Sequence, residues 1–131
     1  MKTALIVIDG ATVEKIADKI CAALKGYQTV IRKAESFVGT DLLPAQAFFL
    51  GCEIPEPASF AYLDQMLQHI NLSGRCCGVF STDSKALKYL SKMVKDSSVS
   101  LGEPLLSKDG EVTPGAMKEW TKKILNESSQ S

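Results

Sequence analysis

The sequence predicts an α/β domain in which a parallel sheet is covered by helices on both faces, and three observations predict it. Short continuous apolar runs, residues 3–8 above all, have the pattern of strands buried on both sides. Between them apolar residues recur at helical spacing, as at Val13, Ile16, Ala17, Ile20, Cys21 and Leu24. The two patterns alternate along the chain, which implies parallel strands joined by crossover helices. The length, 131 residues, suits one domain, expected over residues 1–126, with a polar, flexible tail over 127–131.

The first strand, residues 3–8, stops at Asp9. The stripe from Val13 to Leu24 defines a helix over about 12–25, and Gly26 follows where a helix-ending glycine belongs. Residues 27–32 are the second strand. The stretch 33–45 has room for little more than a turn of helix. Residues 47–50 are a third buried strand, halted by Gly51. Pro55 and Pro57 punctuate a loop, after which Phe60, Leu63, Leu67 and Ile70 line a helix that ends before Ser73 and Gly74. Residues 76–80 are the fourth strand, and Ala86, Leu87, Leu90 and Val94 line the helix after it. Residues 99–106 hold a short fifth strand interrupted by Gly102 and Pro104. Thr113 sets a capping hydroxyl before Pro114 at the first helical position. Met117, Trp120, Thr121 and Ile124 face inward from that last helix.

Composition narrows the function classes. Apolar residues make up 45% and charged residues 23% of the chain, as in ordinary soluble domains. Fifteen basic residues balance fifteen acidic ones, which disfavours nucleic acid as a partner. No apolar run reaches the roughly 18 residues of a membrane span. The N-terminal run lacks a small-residue cleavage site and reads as a strand, so a cytoplasmic protein is expected. Cys21, Cys52, Cys76 and Cys77 show no CxxC spacing and no nearby histidine, so no metal site is expected and the thiols should be reduced.

In parallel sheets of this kind ligands bind beyond the C-terminal strand ends, at the topological switch point. Three loops therefore matter: residues 9–12, 51–59 and 81–84. From about Lys2 to Leu125 the chain resembles the flavodoxins. The resemblance is carried by residues 13–17 (VEKIA), Phe49-Leu50-Gly51 before a proline-containing loop, Leu72-Ser73-Gly74-Arg75 before Val79-Phe80-Ser81, residues 101–105 (LGEPL), and the final helix with Trp120. It implies a three-layer flavodoxin-like sandwich, a five-stranded parallel sheet of order 2-1-3-4-5, and a site for flavin mononucleotide (FMN). The positions matching the flavin loops are Asp9, Gly10, Ala11 and Thr12, then Gly51, Cys52 and Glu53, then Ser81, Thr82 and Asp83.

The resemblance also implies devices that hold FMN, and two of them look eroded here. The phosphate loop should be a hydroxyl-rich turn at a helix N-terminus, yet this chain offers Asp9-Gly10-Ala11-Thr12 with Thr12 its one hydroxyl. A carboxylate ~4 Å from the phosphate costs about 4 kcal/mol at an effective dielectric near 20 and about 1 kcal/mol in water. At 1.4 kcal/mol per decade, that weakens binding by roughly one to several decades. Asp9 either replaces the phosphate, accepting amides around residues 11–13, or points to solvent. The flavin ring should lie between aromatic side chains from the loops after strands three and four. Those loops hold none before Phe60, which sits on a core stripe, and Tyr89, which lies inside a helix. Tyr62 is the one aromatic that could turn toward the mouth.

Other chemistry at the same end is sparse. Asp9, Glu53, Glu56 and Asp83 bring carboxylates together, and with Thr82 and Lys108 they faintly suggest a receiver domain. The phosphoacceptor position is Gly51, however, and no lysine–proline follows strand five. Cys52 lies near helix amides that lower a thiol pKa, while Glu53 and Glu56 raise it. Cys21, Cys76 and Cys77 read as core. His69 has no nucleophile beside it, and Lys85, Lys88 and Lys92 form a charged helix face. The expectation is a non-enzymatic binding or accessory module, with a protein partner, no catalytic residue, and weakened or lost FMN binding. The alternative is an FMN-binding one-electron carrier, and a third reading is a small enzyme using Cys52 or the carboxylates.

Overall fold

The computed structural model describes residues 2–42 and 44–129. Its strands are β1 (Lys2–Asp9), β2 (Tyr27–Lys33), β3 (Ala45–Cys52), β4 (Cys76–Ser81), β5 (Ser100–Leu101) and β6 (Leu105–Leu106). Its helices are α1 (Ala11–Ala23), α2 (Ala61–Leu67), α3 (Ser84–Val94) and α4 (Pro114–Ser129). The strands form one sheet of order β2-β1-β3-β4-β5, with β6 also pairing β4, and every pairing is parallel. The predicted fifth strand is thus split. Ser100 and Leu101 lie beside Cys76 and Cys77, while Leu105 and Leu106 lie beside Phe80 and Ser81. Pro104 has no N–H to continue the ladder, and the intervening carbonyl of Glu103 accepts Trp120 Nε1–H at 2.7 Å.

Pleating sorts the buried residues onto two faces. Ala4, Ile6 and Ile8 of β1, Ala47 and Phe49 of β3, and Cys76 and Phe80 of β4 pack under α1 and α4. Leu5 and Val7, Phe48, Leu50 and Cys52, and Cys77 and Val79 pack under α2 and α3. Adjacent Cys76 and Cys77 therefore enter different cores, and none of the four cysteines is in a disulfide. Cys21 is only partly buried against the α1–α4 core.

The helix stripes match the apolar spacing. Val13, Ile16, Ala17 and Ile20 are the buried residues of α1, and Ala86, Leu87, Leu90, Met93 and Val94 those of α3. Thr113 caps α4, its Oγ1 accepting Ala116 N–H at 3.2 Å. α2 is shorter than its apolar pattern and stops at Leu67. Residues 34–36 and 39–42 form two 3-10 turns in the segment where one turn is expected. α4 is helical through Ser129; of the expected tail, Gln130 and Ser131 lie outside the described residues.

Glycines admit the large rings of the α1–α4 core. Trp120 lies 5.6 Å from Phe49 and 6.4 Å from Phe80, centroid to centroid. A Cβ on Gly78 would stand 3.0 Å from the Trp120 ring, and one on Gly51 would overlap the fully buried Phe80 ring. Gly51→Ala should therefore lower stability by about 1–3 kcal/mol through overpacking. Urea unfolding monitored by tryptophan fluorescence reads this directly, and an unchanged midpoint would contradict the packing.

Candidate functional site

Asp9 is the register partner of Cys52 across the β1–β3 pair, so both strands end side by side beneath the start of α1. With β2 on one side of β1 and β3 on the other, this is the switch point of the sheet. Side-chain alternation decides which groups face α1. Asp9 has the parity of Leu5 and Val7, which pack toward α2 and α3. Position 53 has the parity of Ala47 and Phe49, which pack toward α1 and α4.

The carboxylate at the α1 N-terminus accordingly belongs to Glu53. Gly10 is the N-cap, with φ +128° and no capping side chain. The Thr12 N–H donates to Glu53 Oε2 at 3.3 Å. A Cβ on Gly10 would overlap the Glu53 carboxylate. A negative group at this end of a helix is favoured by typically 0.3–1 kcal/mol. Of the two readings left open for Asp9, a carboxylate on the first α1 amides or one pointing to solvent, this geometry does not support the first. Among the described residues no α1 amide donates to Asp9, and the Asp9 charge acts instead on the Cys52 thiol. The signal for Glu53 is present in the alternation Phe49, Gly51, Glu53; the sequence places this residue among the flavin-loop positions and the clustered carboxylates without assigning it to α1.

The loop bearing Glu53 is held tightly. The Cys52 thiol donates to the Ile54 carbonyl at 3.3 Å. Pro55 and Pro57 flank Glu56, whose φ of +50° is uncommon for a residue other than glycine. The remaining flavin-loop positions serve the fold locally. Ala11 is exposed and Thr12 half-buried, the latter against the turn at Gly110. Gly51 makes room for Phe80. Ser81 is buried, its Oγ–H donating to the Cys52 carbonyl and its oxygen accepting Asp83 N–H at 3.0 Å. Asp83 caps α3, Oδ2 accepting Ala86 N–H at 3.0 Å. Thr82 is half-buried.

The Cys52 thiol is buried, and that burial, followed by the charges of Asp9, Asp83 and Glu53, pushes its pKa up to about 12. A thiol so placed stays protonated at neutral pH, opposite to what a nucleophile needs. Among the described residues no group of three or more His, Cys, Asp or Glu is arranged to hold a metal ion. No helix among them is long and apolar enough to cross a membrane.

No aromatic side chain lines the cleft beside the α1 N-terminus, while Tyr89 shares a separate cleft with Glu56 of the loop after β3. Phe37, Phe48, Phe49, Phe60, Phe80 and Trp120 are all buried in the two cores. Tyr27 begins β2 at the opposite end of the sheet. Tyr62 packs on Phe37 with ring centroids 5.9 Å apart. Tyr89 lies on α3, its hydroxyl donating to Asp64 Oδ2 at 3.4 Å. The cleft beside the α1 N-terminus, lined by Ile8, Asp9, Gly10, Ala11, Glu14, Lys33 and Glu35, measures ≈ 210 Å³. That is below the ~300 Å³ at which small-molecule pockets usually start, and three carboxylates there face one lysine.

No protein-family model matches the chain, and no curated protein matches it in sequence. Solved structures do match its fold. A short-chain flavodoxin associated with a non-canonical PDU bacterial microcompartment superposes with a TM-score of 0.82 at 14% identity, covering 98% of this chain and 99% of that one. A Streptococcus pneumonia flavodoxin gives 0.79 at 14% identity, covering 96% and 99%. A Fusobacterium nucleatum flavodoxin mutant bound to flavin mononucleotide gives 0.71 at 16% identity, covering 97% of each. The chain therefore has the flavodoxin-like fold, with the sheet order 2-1-3-4-5.

The raised Cys52 pKa has two measurable consequences. At neutral pH Cys52 should react with thiol reagents roughly 10²–10³ times more slowly than free cysteine; labelling at the free-cysteine rate would contradict its burial. From an ordinary value of 9.0 to about 12, the folded chain keeps a proton that the unfolded chain releases. The contribution of Cys52 to stability is thus complete below pH 9 and is lost as pH rises toward 12. Cys52→Ala should flatten that alkaline fall in denaturant midpoint, and an identical slope in both proteins would count against it.

Proposed function

We propose that this chain is a non-catalytic binding or accessory module with a flavodoxin-like fold, in which FMN binding is lost or greatly weakened. The observation that carries the proposal is the lack of paired aromatic walls at the α1 N-terminus: every phenylalanine and the tryptophan are buried in the core, Tyr27 lies at the other end of the sheet, Tyr62 packs on Phe37, and Tyr89, which shares a cleft with Glu56, bonds to Asp64. The loops after β3 and β4 present Glu53, exposed Ile54 and Asp83 there rather than flat apolar surfaces. The phosphate end fares no better, since the α1 amide that would receive it already donates to Glu53. The residues present do not fit the nucleotide at either end. What remains at the mouth is an acidic, half-open surface carrying exposed Ile54, suited to contact with another protein more than to enclosing a small molecule.

A second reading, an FMN-binding one-electron carrier, is favoured by the structural neighbours, which speak for it better than for the first. They are flavodoxins, one of them bound to FMN. Under that reading the protein contributes flavin placement and electrostatics, and Glu53 must leave the α1 N-terminus to admit the phosphate. The side chains at the switch point favour the first reading.

Titrating FMN with the protein and following flavin fluorescence separates the two. The first reading predicts a colourless protein and no saturable quenching below about 100 μM, a binding free energy weaker than about −5.5 kcal/mol. A protein that purifies yellow, or quenches FMN with a submicromolar midpoint, establishes the carrier instead.

A further inference from the structure

We infer that Glu53 is an internal anion of this fold, a tethered carboxylate that occupies the place at the α1 N-terminus where a phosphate would otherwise be received. The inference deepens the proposed loss of FMN binding and rests on that reading for the identity of the site. It adds that the anion cradle is intact but filled by the chain itself.

The first amides of any helix lack partners within the helix and must find acceptors elsewhere. Here the N-cap is glycine and supplies no side chain, so the acceptor must come from outside. The β1–β3 register sets position 53 just beyond Cys52, the partner of Asp9, and alternation turns position 53 toward α1. Glu53 is long enough to arrive, and its Oε2 accepts the Thr12 N–H at 3.3 Å.

The packing over Gly10 agrees with that hydrogen bond. The space over Gly10 is filled by Glu53 itself. A Cβ at position 10 would overlap its carboxylate and come within 2.8 Å of its Cγ. Glycine at such a turn lets a negative group approach the backbone closely, and the group approaching here is a side chain of the same protein. The loop carrying it is short and braced by Pro55, Pro57 and the bond from Cys52 to Ile54. A ligand held on so short a tether acts at an effective concentration of about millimolar or more. A free phosphate must displace this carboxylate and tolerate its charge nearby.

The test uses the full chain and inorganic phosphate, read by the backbone amide shifts of residues 10–13. In Glu53→Ser the cradle is vacated, and these amides should titrate saturably with phosphate at a concentration at least about tenfold lower than in the unsubstituted protein. Should the serine variant not fold, Glu53→Gln keeps the shape and an acceptor oxygen without the charge, and it should show a gain of at least about fivefold. Phosphate affinity unchanged in the folded variants, or shifts confined to surface lysines, overturns the inference. FMN addition keeps the two ideas apart. If Glu53→Ser binds FMN no better than phosphate, the missing ring walls stand. If it binds FMN about a hundredfold better, the internal anion stands and the proposal of missing walls fails.

Discussion

The pleat of β3 is the constraint on which the rest of this structure depends. Because consecutive residues of a strand face opposite ways, Phe49, Gly51 and Glu53 form one row and Phe48, Leu50 and Cys52 the other. The first row runs from an aromatic core, through a glycine that seats the Phe80 ring, to a carboxylate laid on α1. The second ends in a thiol sealed beneath α2 and α3. A shift of one residue at the end of β3 would exchange these environments, putting a charge in the core and a thiol on the helix terminus. The parallel register with β1, pairing Asp9 with Cys52, fixes it.

Much of this was legible in the sequence. Strand order and helix faces follow from apolar runs and stripes, because burial on both sides of a parallel sheet leaves little freedom in which residues face where. The split of the fifth strand was legible too, in Gly102 and Pro104. What was not legible depends on side-chain reach across distant segments. Asp9 adjoins α1 in sequence and reads equally as its cap or as a solvent-facing charge, and its parity turns it away from α1. Glu53 lies 41 positions from Thr12, and sequence alone does not say which of several loop carboxylates crosses the switch point. The roles of Ser81 and Asp83 were hidden for a similar reason: both are taken up by local bonds that brace β4 and start α3.

Fold and site thus carry different information. The layers, order and crossover helices are those of the flavodoxins to which the chain is similar, while the chemistry at the strand ends is the chain's own. Several flavin-loop positions have a role in holding the protein together: Asp83 as a cap, Gly51 as room for a ring, and Cys52 and Ser81 as braces beneath the loops.

The most direct measurement is a high-resolution crystal structure of the protein grown with excess FMN. The account predicts the Glu53 carboxylate against the Thr12 amide and no nucleotide over Gly10 to Thr12. A fully occupied flavin, with its phosphate on those amides and Glu53 swung away, would contradict it.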